Sequence, residues 1–96
     1  MSRLLKYQRG AIYTIRSPNT DRFYIGSTVQ PLNKRLGDHR GAYEKYQNGN
    51  SNYNPSFEVL EAGNYYIEML EVFPCNTKRE LQDRVIYWIR NHERNI

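Results

Sequence analysis

The chain has 96 residues, enough for a single domain over residues 1–96 with a thin core, because a fold of this size buries roughly 60–65% of the surface that the unfolded chain exposes. Its formal net charge of +4 favours an anionic partner but is equally compatible with a basic protein that binds no anion. Its one cysteine, Cys75, excludes an internal disulfide and a zinc site built from cysteines. The sequence has neither a signal-peptide pattern nor an apolar run of about 20 residues, so we expect a soluble intracellular protein, cytoplasmic or nuclear, that does not enter a membrane.

The first predicted element is a β-hairpin that carries two tyrosines. Residues 11–16 (A-I-Y-T-I-R) and 22–26 (R-F-Y-I-G) are rich in β-branched and aromatic residues, which is typical of strands. Residues 17–21 (S-P-N-T-D) form turns readily, because Pro fixes φ while Asn and Asp tolerate tight bends. An antiparallel hairpin with a loop of about five residues would bring Tyr13 close to Tyr24.

The next predicted element is a basic helix over residues 31–47. Pro31 suits its first turn, where the missing N–H costs nothing, and apolar and aromatic residues recur through it at helical spacing. Arg35, His39 and Tyr43 follow one another at intervals of four residues, so their side chains are expected to share one face of the helix. A polar, asparagine-rich loop then ends the helix.

The second half of the chain predicts a short helix, a third strand and a last helix. Residues 56–62 are expected to be helical and to end at Gly63, and residues 65–73 alternate as a strand. Asn76 or Thr77 is suited to cap the last helix. The two faces of the strand are predicted to carry Ile67, Met69 and Glu71 on one side, and Glu68, Leu70 and Val72 on the other.

Four of these side chains together have the chemistry needed to cut a phosphodiester bond: Tyr13, Tyr24, Arg35 and His39. Hydrolysis requires a base for the attacking water, positive charge for the phosphate and help for the leaving oxygen, often from a metal ion. Arg35 is suited to hold the phosphate, and Tyr13 or His39 to act on the water, although a tyrosine near its usual pKa of about 10 is a poor base. Taken singly, each residue is more often structural, so only their combination and order point to function.

The combination resembles the GIY-YIG nuclease family. In residues 10–13 (G-A-I-Y), Ala11 stands where the family name has Gly, and the similarity runs from about Gly10 to Trp88. It is closest in character to the small single-domain nucleases of phages and large DNA viruses, or to homing-type endonucleases without a separate DNA-binding arm. The matching residues are, in chain order, 10–13, 24–26 (Y-I-G), Arg35, His39 and 87–89 (Y-W-I).

The resemblance implies an α/β domain, with a small three-stranded antiparallel sheet flanked by helices, that hydrolyses DNA with one divalent cation, usually Mg²⁺ (or Mn²⁺). It makes Tyr13 the candidate general base and Tyr24 a residue that positions phosphate or water. It makes Arg35 the group that stabilises the transition state and His39 an aid to proton transfer. Tyr43 is a further catalytic candidate on the same helix.

One position departs from the family pattern. The metal-binding Glu of the family lies three residues before Trp88, where this chain has Val85, and valine cannot ligate a hard cation. Glu80 and Asp83 lie about 140° and 200° from Val85 around the helix, and Glu93 lies about two turns further along, so none is a simple replacement. We therefore predict no metal ligand at this position.

Three explanations of Val85 stay open: a variant inactivated because the active nuclease is toxic, a natural relative that binds DNA without cutting it, or a shifted register in the last helix. The leading hypothesis is a metal-dependent DNA endonuclease that is inactivated at this position. The alternative is a non-catalytic module on the same scaffold that binds DNA or a protein, and a plain structural domain is a third reading.

DNA is the expected partner, and basic residues of the first helix are the expected contacts. Lys34, Arg40 and Lys45 are predicted to track the DNA backbone, with Arg16 and Arg22 at the ends of the hairpin. A solvated amphipathic face is the alternative reading, because acidic residues interrupt the basic ones. Selectivity would come from this surface, from a partner protein or from a homodimer.

Overall fold

Three antiparallel strands form the centre of the fold, which is known from a computed structural model that describes residues 3–92. The strand order is β2-β1-β3, so β1 is central and the other two strands are edges, as expected for the predicted α/β architecture. Within residues 3–92, no helix has the length and apolar character that a bilayer span requires. The elements are α1 (Arg3–Tyr7), β1 (Ala11–Arg16), β2 (Tyr24–Thr28), α2 (Leu32–Gln47), α3 (Ser56–Ala62), β3 (Tyr66–Val72) and α4 (Lys78–Arg90).

One face of the sheet packs against α2 and α3. Tyr13 pairs with Gly26 and Ile15 with Tyr24, so their side chains lie on this same face. Tyr13 and Ile15 are fully buried there against Phe57 of α3. Partly buried residues of α2 complete this cluster, namely Leu32, Leu36 and Tyr43.

The opposite face of the sheet packs against α4. Ile12 and Ile25 point to this side and form a second cluster with Leu81 and Cys75. Val85 and Trp88 of α4 are half-buried against the same cluster, as are several residues near the two ends of the sheet. The sheet therefore separates two thin apolar layers, and the helices α2 and α4 lie on opposite sides of it.

The predicted helix ends of the second half are confirmed. α3 spans Ser56–Ala62 and is followed by Gly63 at φ 82°, a backbone conformation that glycine adopts without strain. α4 begins after Thr77, whose side chain accepts from the Glu80 N–H while the Glu80 carboxylate accepts from the Thr77 N–H. The five-residue helix α1 has no counterpart in the sequence prediction.

The predicted hairpin loop is too short. The strand β2 begins at Tyr24, two residues later than predicted, and continues to Thr28. The Arg22 N–H donates to Thr20 Oγ1 at 3.2 Å, which keeps this residue in the turn. Phe23 does not join the ladder either, and its ring lies under the Arg16 guanidinium at 3.9 Å.

The predicted faces of β3 are wrong beyond its midpoint, because a β-bulge interrupts the alternation. Ile12 pairs with Glu71 while Tyr13 pairs with Met69, so Leu70 is an extra residue between the two pairs. Leu70 packs in the cluster beside α4, on the face predicted for it, and Met69 on the opposite face is exposed. Glu71 no longer shares a face with Met69, and its carboxylate contacts α4 instead.

Candidate active site

The side chain of Tyr13 is the centre of a buried polar cluster. It is fully buried on the central strand, and its Oη lies 2.6 Å from Nε2 of His39. The Nε–H of Arg35 donates to the same oxygen at 3.1 Å. One turn of α2 separates Arg35 from His39, which allows both side chains to reach the tyrosine from the same face of the helix. Two residues of α2 thus share the hydroxyl of a tyrosine on the central strand.

Tyr24 stands beside this cluster on the edge strand. Its ring centroid lies 6.3 Å from that of Tyr13 and 5.3 Å from that of His39, both in tilted or edge-on geometry. Burial raises the pKa of Tyr24, with the nearby Arg35 guanidinium opposing the shift. Its hydroxyl is therefore protonated at neutral pH and able to donate a hydrogen bond.

Gly26 allows Tyr13 to take its position. The two residues are opposite one another in the β1–β2 ladder, and the ring of Tyr13 lies directly over the glycine. A Cβ at Gly26 would lie 2.6 Å from Tyr13 Oη and 2.8 Å from Cε2 of Tyr24, which is closer than any real contact of a Cβ atom. Only glycine at position 26 therefore leaves enough space for the Tyr13 ring.

Replacing Gly26 by Ala is expected to destabilise the domain by about 1–3 kcal/mol and to displace Tyr13 from His39. Gly37→Ala is the matched control, because a Cβ there meets no atom within 4 Å and alanine favours an exposed helix by about 0.5–1 kcal/mol. Urea unfolding of both variants measures the difference. Equal stability changes at the two positions would contradict the steric argument.

His39 extends the cluster to α3 through a residue that the sequence does not reveal. Its Nδ1 lies 3.0 Å from Oγ of Ser56, which is fully buried at the first turn of that helix. The Asn54 side chain fixes this start, since its Oδ1 accepts from the Ser56 N–H at 2.9 Å. Ser56 had no sequence signal beyond its place at a helix start, because its contact with His39 depends on how α3 packs on α2.

Burial sets the protonation of both Tyr13 and His39. It lowers the pKa of His39 to about 4, with the Arg35 charge adding to the effect, so the imidazole is neutral at pH 7. It raises the pKa of Tyr13, which the Arg35 charge offsets only in part. Because a neutral imidazole has one N–H, His39 either accepts from Tyr13 and donates to Ser56, or does the reverse.

A cavity of about 380 Å³ opens beside this cluster, between the edge of β2 and α4. We name it the main cavity. Arg35, whose side chain is 32% exposed, and the half-buried Tyr24 reach it directly. Tyr13 does not line it and lies behind Arg35, so a substrate would meet the guanidinium before the buried phenol. The lining residues are Tyr24, Ile25, Gly26, Ser27, Arg35, Gln82, Val85 and Ile86.

Val85 lies in the wall of the main cavity, opposite the polar cluster, and the lining contains no carboxylate. Within residues 3–92, no group of three His, Cys, Asp or Glu side chains is arranged to hold a metal ion. Glu80 and Asp83 do not line the cavity, and Glu93 lies outside the described residues. A hard divalent cation is bound through at least one carboxylate, so the residues that line the cavity do not fit one.

The remaining catalytic candidate, Tyr43, lies in a different part of the helix face. Its ring packs against Phe57, with centroids 5.3 Å apart, in an aromatic group that also contains Tyr46 and Tyr53. Among the described residues, the Tyr43 hydroxyl has no hydrogen-bond partner. The structure does not bring it into the cluster around Tyr13.

The three predicted DNA contacts of α2 point away from the main cavity. Lys34 and Lys45 lie about 20° apart around the helix axis, and Arg35 is about 100° from Lys34, so the two lysines share an outward face. Both are exposed. Arg40 is on a third side, where its Nε–H donates to Tyr65 Oη at 3.0 Å. Their role as DNA contacts stays a prediction.

An ion pair between β3 and α4 was also missed by the sequence analysis. Arg84 donates from Nε and Nη2 to the two oxygens of Glu71, at 2.6 and 2.9 Å, and Trp88 Nε1–H donates to the same carboxylate at 2.8 Å. The hydrogen bonds from Arg84 lower the pKa of Glu71. Arg84 is thereby held on Glu71 and does not line the main cavity beside Val85.

No curated protein and no solved structure is found to match this chain. The family model of the GIY-YIG catalytic domain does match, over residues 9–96, which is nearly the whole chain. All three strands and the helices α2, α3 and α4 fall inside the matched range. The chain therefore belongs to the GIY-YIG catalytic domain family.

Proposed function

We propose that this domain binds the phosphate backbone of DNA in the main cavity and that it hydrolyses the strand only when a carboxylate replaces Val85. Members of the family are usually metal-dependent endonucleases, which makes DNA the implied substrate. One observation carries the proposal: Arg35, oriented by Tyr13, lines the same cavity as Val85, where the ligand for a cation would be needed.

Arg35 is the proposed phosphate contact. Its Nε–H is committed to Tyr13, which fixes the plane of the guanidinium and leaves the terminal N–H groups for a bidentate contact with phosphate. The only carboxylate near it among the described residues is Asp38, at 4.0 Å, too far to satisfy these donors. Tyr24 supplies a second donor from the edge strand, because its hydroxyl keeps its proton at neutral pH.

The buried hydrogen-bond chain behind Arg35 is the proposed path for a proton. Tyr13 Oη would accept a proton from the attacking water while its own proton passes to Nε2 of His39. The Nδ1–H of His39 would at the same time donate to Ser56 Oγ. The phenol is buried and does not line the main cavity, so the attacking water has to reach it from that cavity, beside the Arg35 guanidinium. The negative charge of a bound phosphate favours the protonated imidazole and so helps this transfer.

The missing carboxylate makes Val85→Glu the direct test of the proposal. We expect the original protein to leave supercoiled plasmid intact in Mg²⁺ or Mn²⁺, and the Val85→Glu protein to produce nicked or linear DNA. Val85→Gln is the matched control, since it has the same shape as Glu without its charge. Gel electrophoresis with and without a chelator measures the products, and thermal melts show whether both variants fold.

The absence of cleavage by Val85→Glu beyond that of Val85→Gln would reject the hydrolytic part of the proposal. The second candidate, a non-catalytic module for DNA or for a protein, would then stand, and it is favoured by the lack of any carboxylate in the lining of the main cavity. It predicts that the original protein binds DNA with strong salt dependence and gains nothing from the new carboxylate. A homodimer on DNA stays a prediction that binding stoichiometry would test.

A further inference from the structure

A second cavity of about 240 Å³ adjoins the main cavity along the edge of β2. We name it the basic cavity. The two cavities share Ser27, Arg35 and Gln82 in their walls, so they form one continuous groove. The strand β2 pairs only with β1 within the described part of the chain, which leaves its outer edge open along this groove. The other lining residues of the basic cavity are Lys6, Tyr7, Thr28, Val29, Gln30, Lys78 and Leu81.

The charge of the basic cavity has one sign only. Lys6 comes from α1 and Lys78 from the first turn of α4, and together with Arg35 they place three cations in the lining with no carboxylate. Neither lysine is in an ion pair within residues 3–92. By contrast, Arg16 and Arg22 are paired with acidic residues at 3.7 and 3.3 Å. Two lysines without a carboxylate partner, beside an arginine whose nearest carboxylate, Asp38, lies 4.0 Å away, make a site that attracts an anion.

The basic cavity also offers neutral donors for phosphate oxygens. Ser27 and Gln82 have no side-chain hydrogen bond to another described residue, and both lie where the two cavities meet. The outward face of α2 has no such enclosure, since Lys34 and Lys45 are exposed there, and no described cavity contains them. The groove therefore combines convergent charge, hydrogen-bond donors and a concave shape, whereas the predicted contacts on α2 supply charge alone.

We propose that the basic cavity binds a second phosphate of the same DNA strand, next to the phosphate held at Arg35, so that the strand follows the open edge of β2 from Val85 towards Lys6 and Lys78. This inference rests on the proposed function, because it assumes that Arg35 holds a DNA phosphate. The main electrostatic contact with DNA is then made by Lys6 and Lys78, which are 72 positions apart in the sequence, and not by the outward lysines of α2.

Paired charge-removal variants test the path of the strand. Fluorescence anisotropy with a labelled DNA duplex, titrated over a range of salt concentrations, compares the original protein with Lys6→Gln/Lys78→Gln and with Lys34→Gln/Lys45→Gln. Both double variants remove the same charge from exposed positions, so the second is the matched control. We expect the first to bind about tenfold more weakly at low salt and to lower the slope of log affinity against log salt by about 1. The control is expected to keep the slope of the original protein.

Any other result contradicts the inference. An Arg35→Ala variant shows whether the proposed function fails together with it. An unchanged slope in Lys6→Gln/Lys78→Gln, or equal losses in the two double variants, rejects the basic cavity as a phosphate site. If Arg35→Ala weakens binding in the same experiment, the proposed function survives that rejection. If the original protein binds no DNA at low salt, both proposals fail together.

Discussion

In the Val85→Glu protein, replacing Arg35 by Ala is expected to lower the rate of plasmid nicking by about 100- to 1,000-fold, the loss typical of a single preorganised donor at a reacting centre. The guanidinium is the charged group that the main cavity and the basic cavity share, and its orientation is fixed by the Tyr13 hydroxyl. Arg35→Lys is expected to recover little, because an ammonium cannot donate to Tyr13 and to phosphate through one planar fork.

Lys34→Ala is the control for this prediction, since it removes a neighbouring charge that does not line the main cavity. We expect its nicking rate to stay within about threefold of the parent protein, given the small effect of exposed charges. Tyr13→Phe then separates two roles of the tyrosine. Loss of rate together with loss of DNA affinity indicates that Tyr13 acts by positioning Arg35, whereas loss of rate alone indicates a proton-transfer role. Arg35→Ala with an unchanged rate would contradict the assignment of the guanidinium to the phosphate.

The parts of the fold that the sequence predicts well are those that depend on local chemistry. Gly63 ends α3 because the residue after that helix takes a positive φ, and Thr77 with Glu80 starts α4 through hydrogen bonds that span three residues. The strand Ala11–Arg16 is likewise set by its own β-branched and aromatic residues. Such signals need no knowledge of the rest of the molecule.

The errors lie where distant partners override the local pattern. The bulge at Leu70 sends the Glu71 carboxylate towards Arg84 and Trp88 on α4, and simple alternation cannot anticipate partners on another element. The late start of β2 could not be anticipated either: Phe23 packs against Arg16 but lies outside the ladder. Both features required the packed structure.

In the candidate site, too, some contacts follow from local spacing and others depend on how distant elements pack. Helical spacing predicts that Arg35 and His39 share a face, and the structure places both on Tyr13. The same spacing fails for Tyr43, because a step of eight residues turns it about 80° from Arg35, towards the aromatic group around Phe57. Ser56 could not be inferred, since its contact with the histidine depends on the packing of two helices. The catalytic roles of all these residues remain predictions.

The buried His39 is expected to make the domain sensitive to mild acid. Its pKa is about 4 in the folded protein and returns to its ordinary value of 6.5 on unfolding. Between these pH values the unfolded chain binds more protons than the folded one, so the free energy of unfolding falls as the pH is lowered from 6.5 to 4. At 1.36 kcal/mol for each unit of pKa, this group alone removes roughly 3 kcal/mol, and below pH 4 its contribution is constant.

Urea unfolding at several pH values between 4 and 7 measures this loss, with His39→Gln as the control. The glutamine amide keeps a polar group beside Tyr13 and Ser56 but does not titrate. The carboxylates are common to both proteins, so the difference between their two stability curves isolates the histidine. We expect that difference to shift by roughly 3 kcal/mol across the interval in favour of the variant at low pH. Parallel curves would mean that the imidazole is hydrated and charged in the folded state. The assignment of a neutral His39 between Tyr13 and Ser56 would then be wrong.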